Sequence, residues 1–194
     1  MTGPVSDSSM PLLDADREDL VTDRITTHGQ LREAEQKAIL AARRWALARR
    51  RPVERVISEE FLLDLHFRMF ARIWQSAGML RGDDESHESL ADNTVRAHLH
   101  DALTDASTWI TEQTWPKRRI AARYHHRLAR IQPFAHGNGR WSRLATDVLV
   151  YALHEPVPTW GTGTLDATLR ERYIDALKRA DGGDVEPLRK LVWS

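Results

Sequence analysis

Ile131-Gln132-Pro133-Phe134-Ala135-His136-Gly137-Asn138-Gly139-Arg140-Trp141-Ser142-Arg143 reads as the end of one helix, a tight loop and the start of another. Pro133 fixes its own φ and biases Gln132 away from the helical region, so the preceding helix should stop there. Gly137 and Gly139 supply conformational freedom, and Asn138 tolerates a left-handed backbone. Consecutive N–H groups can then face one concavity, a nest for anions. The helix that follows adds a positive N-terminal end. Arg140 and Arg143 lie one turn apart, so both guanidinium groups can reach an anion seated there. Phosphate binding is therefore favoured over a plain helix–loop–helix turn with solvated arginines.

The flanking sequence is helical on both sides. Pro116 suits a helix start, and Ile120, Tyr124, Leu128 and Ile131 give the buried face of the helix that delivers the loop. His125 and His126 on it have no metal-like partner four residues away and read as packing groups. Beyond the loop, Leu144, Val148, Leu149 and Tyr151 continue the second helix, and His154-Glu155-Pro156-Val157-Pro158 ends it. Residues 165–180 form another helix stopped by Gly182-Gly183, and Asp184 can cap a last short one running to Val192. Towards the N-terminus, apolar residues at helical spacing predict a helix from about Gln30 to Ala48. Ser58 caps the next, whose stripe is Phe61, Leu62, Leu65, Met69, Phe70 and Ile73. His66 lies on that stripe and reads as a packed core histidine rather than a ligand. Residues 95–110 make a further helix. Between it and Ala77, Gly78, Gly82, Asp83 and Asp84 break the pattern, and residues 78–92 read as a loop or a short β-hairpin. There is no β-α alternation and no repeat, so the fold class is all-α.

Composition narrows the classes. The chain has 194 residues, Lys+Arg and Asp+Glu are 28 each, and there is no cysteine. That length suits one domain, residues 28–194, behind an N-terminal segment, 1–27, that reads as partly disordered. Balanced charge gives no global pull towards nucleic acid or membrane. The run Arg43, Arg44 and Arg49 to Arg51 reads as a helix face and a complement to the helix C-terminus rather than a nucleic-acid contact. No signal peptide and no membrane-spanning apolar run is read, and a cytoplasmic protein is the expectation.

The loop stretch resembles the signature of the Fic (Fido) family, His-Pro-Phe-x-Asp/Glu-Gly-Asn-Gly-Arg-x-x-Arg. Residues 74–81, Trp-Gln-Ser-Ala-Gly-Met-Leu-Arg, resemble the family's lead into a flap. Residues 173–188 resemble its closing helices. Residues 25–31 are similar to the start of a bacterial subgroup, the "mobile mystery protein B" type, which is associated with mobile elements and a small helix-turn-helix partner. The resemblance implies transfer of AMP from ATP to a hydroxyl of a target protein. Gly137, Asn138 and Gly139 would cradle the phosphates, Arg140 and Arg143 would hold the outer ones, and Phe134 would anchor the loop in the core. The flap, residues 78–92, would pair with a target segment by strand addition. A helix-turn-helix partner and an inhibitory glutamate on the second motif arginine belong to the same expectation. Glu33 and Glu35 are the candidates for that glutamate, and neither matches the family's inhibitory pattern.

Two positions depart from the signature. Gln132 stands where the family has its general base. A neutral amide cannot take a proton near pH 7, and losing such a base typically costs about 10²–10⁴ in rate. His136 stands where an acid would hold Mg²⁺, and imidazole is a poor ligand for that hard cation. No metal ligand is therefore assigned. Three arrangements stay open: Mg²⁺ held by nucleotide phosphates and water, His136 as a relocated base, or phosphate-ligand binding without turnover. The last is favoured because both departures damage the same reaction. The expectation is thus an ATP-binding, AMP-transferase-like protein impaired at its motif, or a non-catalytic binding module working with a helix-turn-helix protein.

Overall fold

The structure, a computed structural model, describes residues 10–82, 90–161 and 167–194. Helices follow one another along the chain: α1 Asp14–Glu18, α2 His28–Leu47, α3 Val53–Val56, α4 Glu59–Phe70, α5 Leu90–Thr111, α6 Lys117–Ile131, α7 Asn138–Ala152, α8 Ala167–Asp181 and α9 Glu186–Val192. Among the described residues there is no regular strand, only isolated antiparallel bridges at Pro11–Thr27 and Leu20–Trp74. The fold is all-α, as the periodicity predicts. Residues 83–89 of the flap expected at residues 78–92 lie outside the described residues. Its described flanks are turns up to Gly82 and the start of α5 at Leu90.

The α6–loop–α7 unit sits at the centre. Helix α7 is buried along most of its length, from Trp141 to Ala152, because α2, α3, α4 and α6 all pack on it. The apolar stripe of α4 meets it from one side through Phe61, Leu62, Leu65 and Met69, all at most 2% exposed. Burial of such side chains contributes about 1.5–3 kcal/mol each. A second, smaller cluster joins α8 and α9 to α6 through Ala122, Ala176, Leu188 and Val192.

Local chemistry sets the helix ends. Thr27 and Gln30 form a reciprocal capping box that starts α2 two residues earlier than the apolar pattern suggests. Ser58 Oγ accepts from Phe61 N at 3.2 Å and caps α4. Asp184 Oδ1 accepts from Glu186 N at 3.3 Å ahead of α9. Three arginines of the run, Arg43, Arg50 and Arg51, are spent on protein. Arg51 donates to the Ala46, Arg49 and Trp45 carbonyls, where it complements the helix C-terminus, and Arg50 Nε donates to Tyr151 O at 2.8 Å. Arg43 reaches the buried Asp147.

Residues 10–27 do more than precede the domain. Leu12 and Leu20 are buried in the main core. Val21 N donates to Ile73 O at 2.9 Å and Gln75 N to Asp19 O at 2.8 Å, so residues 19–21 lie along residues 73–75.

Candidate functional site

The loop opens where α6 stops. Gln132 takes a left-handed backbone, φ 46° and ψ 63°, with its side chain exposed. A non-glycine residue there is strained by about 1–3 kcal/mol. Arg81 offsets the strain. Its N–H donates to Pro133 O at 2.8 Å, its Nε to Gln132 O at 2.7 Å and its Nη2 to Ile131 O at 3.2 Å. One guanidinium thus seals the C-terminus of α6 and ties the loop to residues 78–82.

Phe134 anchors the loop. It is 1% exposed, stacked on His66 with centroids 3.6 Å apart and met edge-on by Trp141 at 4.9 Å. Asn138 then closes the loop on itself: its Oδ1 accepts from Phe134 N at 2.9 Å and its Nδ2 donates to Phe134 O at 2.7 Å. This corrects one expectation. Asn138 and Gly139 are helical residues of α7, and the left-handed positions of the loop are Gln132 and Gly137. Gly137, φ 74°, is required twice over, because a Cβ there would also run into the ring of Phe70. A Cβ at Gly139 would meet nothing within 4 Å, so that side of the first turn of α7 is uncovered.

His66 packs, as its place on the α4 stripe predicts, and it also positions the loop. Its Nδ1 accepts from Gly78 N at 2.9 Å, which places its proton on Nε2, 3.0 Å from the His136 carbonyl it donates to. Burial holds its pKa down at about 4.

His136 does not point into bulk solvent. Its ring lies flat on Trp74, centroids 3.7 Å apart and 10° between planes, and its Nε2 is 3.2 Å from Asp19 Oδ2. Trp74 is shared. Its Nε1 donates to Glu35 Oε1 at 3.2 Å, and Glu35 receives Arg140 Nη1 at 2.6 Å and Nη2 at 2.8 Å.

The glutamate expectations resolve differently from the family pattern. Glu33 is exposed and, among the described residues, pairs only with Lys37, at 2.6 Å. Glu35 is 3% exposed and occupies the first motif arginine, Arg140. The second, Arg143, lies over Tyr173 with its guanidinium carbon 4.9 Å from the ring centroid. Tyr173 OH is 2.7 Å from Nε2 of the fully buried His125, whose pKa burial lowers to about 3. That histidine is neutral and fixes the tyrosine against which Arg143 rests.

Arg140, Arg143 and Arg43 line one cavity of about 290 Å³ between α2 and α7, with Leu40, Leu144 and Trp160 as its apolar wall. A larger groove, about 580 Å³ between α2 and α4, is floored by alanines and lies away from the loop. Chemistry decides between the two. Lys37, Arg68 and Arg72 also line the groove, but none of its lining residues stands at a helix N-terminus, whereas Arg140 and Arg143 lie in the first turns of α7, which suits a phosphate-bearing ligand. Among the described residues no cluster of three metal-ligating side chains occurs.

Sequence reasoning places Phe134, Gly137, Asn138, Gly139, Arg140 and Arg143 in one site; of these, Arg140 and Arg143 line the cavity, while Phe134 is buried beneath the loop and Gly137, Asn138 and Gly139 form the start of α7. It missed Asp19, His66 as a loop support, Arg81 as a cap on α6 and the Tyr173–His125 pair. Only Arg81 had a local signal, as the last residue of the stretch that leads to the flap.

Comparison with known proteins agrees with this architecture. A family model described as Fic/DOC family matches residues 56–150. A protein adenylyltransferase Fic of Culex quinquefasciatus is 36% identical over 75 residues, 38% of this chain and 14% of the relative. The alignment therefore spans a small part of that relative's length. Fic-1 from C. elegans superposes with a TM-score of 0.63 at 22% identity, over 89% of this chain and 50% of that one. An N-terminal Fic domain from Bartonella quintana, solved with bound ADP, gives a TM-score of 0.66 at 17% identity over 88% and 86%. At those identities the superpositions speak to the fold. Residues 56–150 thus match the Fic/DOC family, and the fold of the chain is the one that solved Fic domains share.

Proposed function

We propose that the head of α7 binds a nucleoside triphosphate, ATP, and that the site is a slow protein AMP-transferase acting on a target-protein hydroxyl. The observation that carries this reading is the first turn of α7. Gly137 in left-handed backbone starts the helix, Asn138 locks the loop on Phe134, and Arg140 and Arg143 face one cavity. Backbone N–H groups would cradle the phosphates, and the two arginines would hold the outer ones. Gln132 supplies no base, so transfer is slower than it would be with histidine at that position. Mg²⁺, if it takes part, is held by phosphate oxygens and water, because residue 136 offers imidazole. The target's hydroxyl would arrive along residues 78–92.

Glu35 gives the second reading its support. With a carboxylate already on Arg140, the site is closed on itself, as in a module that binds a nucleotide or a protein partner without turnover. Calorimetry of ATP binding tests the shared premise. Wild-type binding and a loss of about tenfold or more in Arg143→Ala are expected, since a charge-assisted contact contributes about 1.5–3 kcal/mol. Equal affinity in the variant would remove the phosphate site.

A further inference from the structure

One carboxylate joins the segment ahead of α2 to the motif loop. Asp19 Oδ1 accepts from Ser76 N at 2.9 Å, and its Oδ2 accepts from Ser76 Oγ and lies 3.2 Å from His136 Nε2. Its backbone is fixed as well, since Asp19 O accepts from Gln75 N and the neighbouring Leu20 bridges to Trp74. Asp19 is therefore held from two directions by residues 73–76 and does not swing on a loose tail.

The His136 ring is fixed in two respects. The stack on Trp74 sets its plane, and the carboxylate sets its rotation within that plane. A carboxylate 3.2 Å from Nε2 favours the proton on that nitrogen, which leaves the lone pair of a neutral imidazole on Nδ1. By covalent geometry Nδ1 is bonded to Cγ, on the backbone side of the ring. The structure gives Nδ1 no partner among the described residues, and the side chain is 24% exposed. His66 makes the contrast. It is stacked in the same way, on Phe134, but it is 1% exposed and both its nitrogens are committed to backbone groups. Packing alone accounts for His66, whereas His136 combines an oriented ring, a carboxylate beside it and a partly exposed side chain whose second nitrogen has no partner among the described residues. That is the arrangement of a histidine base held by a carboxylate.

We propose that His136 is the catalytic base of this site and Asp19 its positioning residue, replacing the base that position 132 lacks. This rests on the nucleotide-transfer reading above. In the step, the oxygen of a target hydroxyl attacks the α-phosphorus of ATP. The new phosphorus–oxygen bond forms as the bond to the oxygen bridging the α- and β-phosphates breaks, and its electron pair leaves with pyrophosphate. The hydroxyl proton passes to His136 Nδ1. The imidazolium so formed keeps its Nε2 proton against Asp19, whose negative charge stabilises it, and it returns the extra proton to water after pyrophosphate departs. Asp19 thus gains in importance as positive charge develops on the ring.

The test uses the full chain with α-labelled ATP, magnesium and bacterial lysate proteins, read as label transferred per unit time, with ATP affinity measured in parallel by calorimetry. His136→Gln is expected to reduce transfer by about 10²-fold or more, within the range for loss of a general base. Asp19→Asn is expected to lower kcat without raising the KM for ATP, and Asp19→Asn with His136→Gln should be no slower than His136→Gln alone. Installing a base at the family position, Gln132→His, should restore transfer in the His136→Gln background. A purely structural role would not be rescued in this way. ATP binding by the wild type without label, or wild-type label rates in His136→Gln, overturns the pair and leaves the nucleotide site standing. Loss of ATP affinity in Asp19→Asn parallel to its loss of label also overturns it, in favour of a strap that merely holds the loop. Absence of ATP binding by the wild type overturns the nucleotide reading itself.

Discussion

Glu35→Gln is the perturbation with the sharpest expected result. Glu35 is 3% exposed and receives two guanidinium N–H groups from Arg140, at 2.6 and 2.8 Å, and the indole N–H of Trp74 at 3.2 Å. A phosphate that engages Arg140 must draw it off that carboxylate, which would then keep only Trp74 as a partner. Breaking a fully buried pair costs about 3–5 kcal/mol. The Arg140 side chain is 41% exposed, so water compensates part of the loss and about 2 kcal/mol remains. Since 1.4 kcal/mol is tenfold, the wild type binds ATP about thirtyfold more weakly than a chain whose Arg140 is released. Glutamine keeps the volume and can still accept from Trp74, but it removes the charge. Calorimetry at fixed ionic strength should therefore show tighter ATP binding by Glu35→Gln. Glu33→Gln, which touches only the exposed Lys37 pair, should leave affinity where it was. The melting temperature of Glu35→Gln should fall, because Arg140 loses its charged partner. Unchanged or weaker ATP binding by a folded Glu35→Gln protein would refute the reasoning, since Arg140 would then not be a phosphate ligand held in reserve.

The remaining predictions concern stability and the loop. His66 and His125 keep pKa values of about 4 and about 3 against 6.5 when unfolded, both because of burial. Above pH 6.5 neither state binds their protons; below it only the unfolded chain does, so each should cost about 1.4 kcal/mol of stability per pH unit. Denaturation midpoints should therefore fall steeply between pH 6.5 and 4, partly opposed by Asp147, whose carboxyl burial pushes up. His66→Phe should reduce the slope, and a flat profile would contradict the assignment of both rings as neutral. Gly137→Ala should lose about 1–3 kcal/mol from its left-handed backbone, with more from the collision with Phe70, read by urea denaturation. Gly139→Ala, which meets nothing, should keep its stability and lose ATP affinity if the first turn of α7 is the phosphate cradle. Arg81→Ala should destabilise the chain by leaving the Ile131 and Gln132 carbonyls and the strained Gln132 backbone without their donor.

How far the molecule was legible depended on the range of each interaction. Helices announced themselves because their signals are local: the α4 stripe with Ser58, the α6 face behind Pro116 and the Gly182-Gly183 stop after α8 all lie within a few residues of what they determine. The capping box at Thr27 and Gln30 was equally local and went unread, and it moved the start of α2 to His28. The loop motif told its residue types but not their division of labour. Asn138 looked like a left-handed turn residue, yet its side chain is worth more as a two-way lock on Phe134, and Gln132 takes the left-handed position because Arg81 is there to receive its carbonyl. No spacing rule could supply Asp19, since its partner lies more than a hundred residues away and the two meet only because residues 19–21 lie along residues 73–75. The same holds for Glu35. Its sequence neighbourhood fails the family's inhibitory pattern, and its position over Arg140 follows from the packing of α2 beside α7.

These long-range contacts share one residue. Trp74 carries His136 on its face and Glu35 on its indole nitrogen, so the ring proposed as a base and the carboxylate that occupies the first arginine are braced by the same side chain. The arrangement makes the two motif departures mutually intelligible. An acid at position 136 would have placed a carboxylate against Trp74 within reach of Asp19, two like charges in a partly buried site. A histidine there converts that repulsion into a charge-assisted contact. It also predicts coupling. When ATP draws Arg140 away, Glu35 keeps the Trp74 N–H as its remaining partner and should hold the indole more firmly, which keeps the His136 ring flat and its lone pair aimed. Trp74→Phe preserves a ring for stacking but deletes that N–H. It should therefore weaken the dependence of transfer on Glu35 while leaving the effect of His136→Gln intact, and a double-mutant cycle between Trp74→Phe and Glu35→Gln that shows strict additivity would disconnect the two halves of the site.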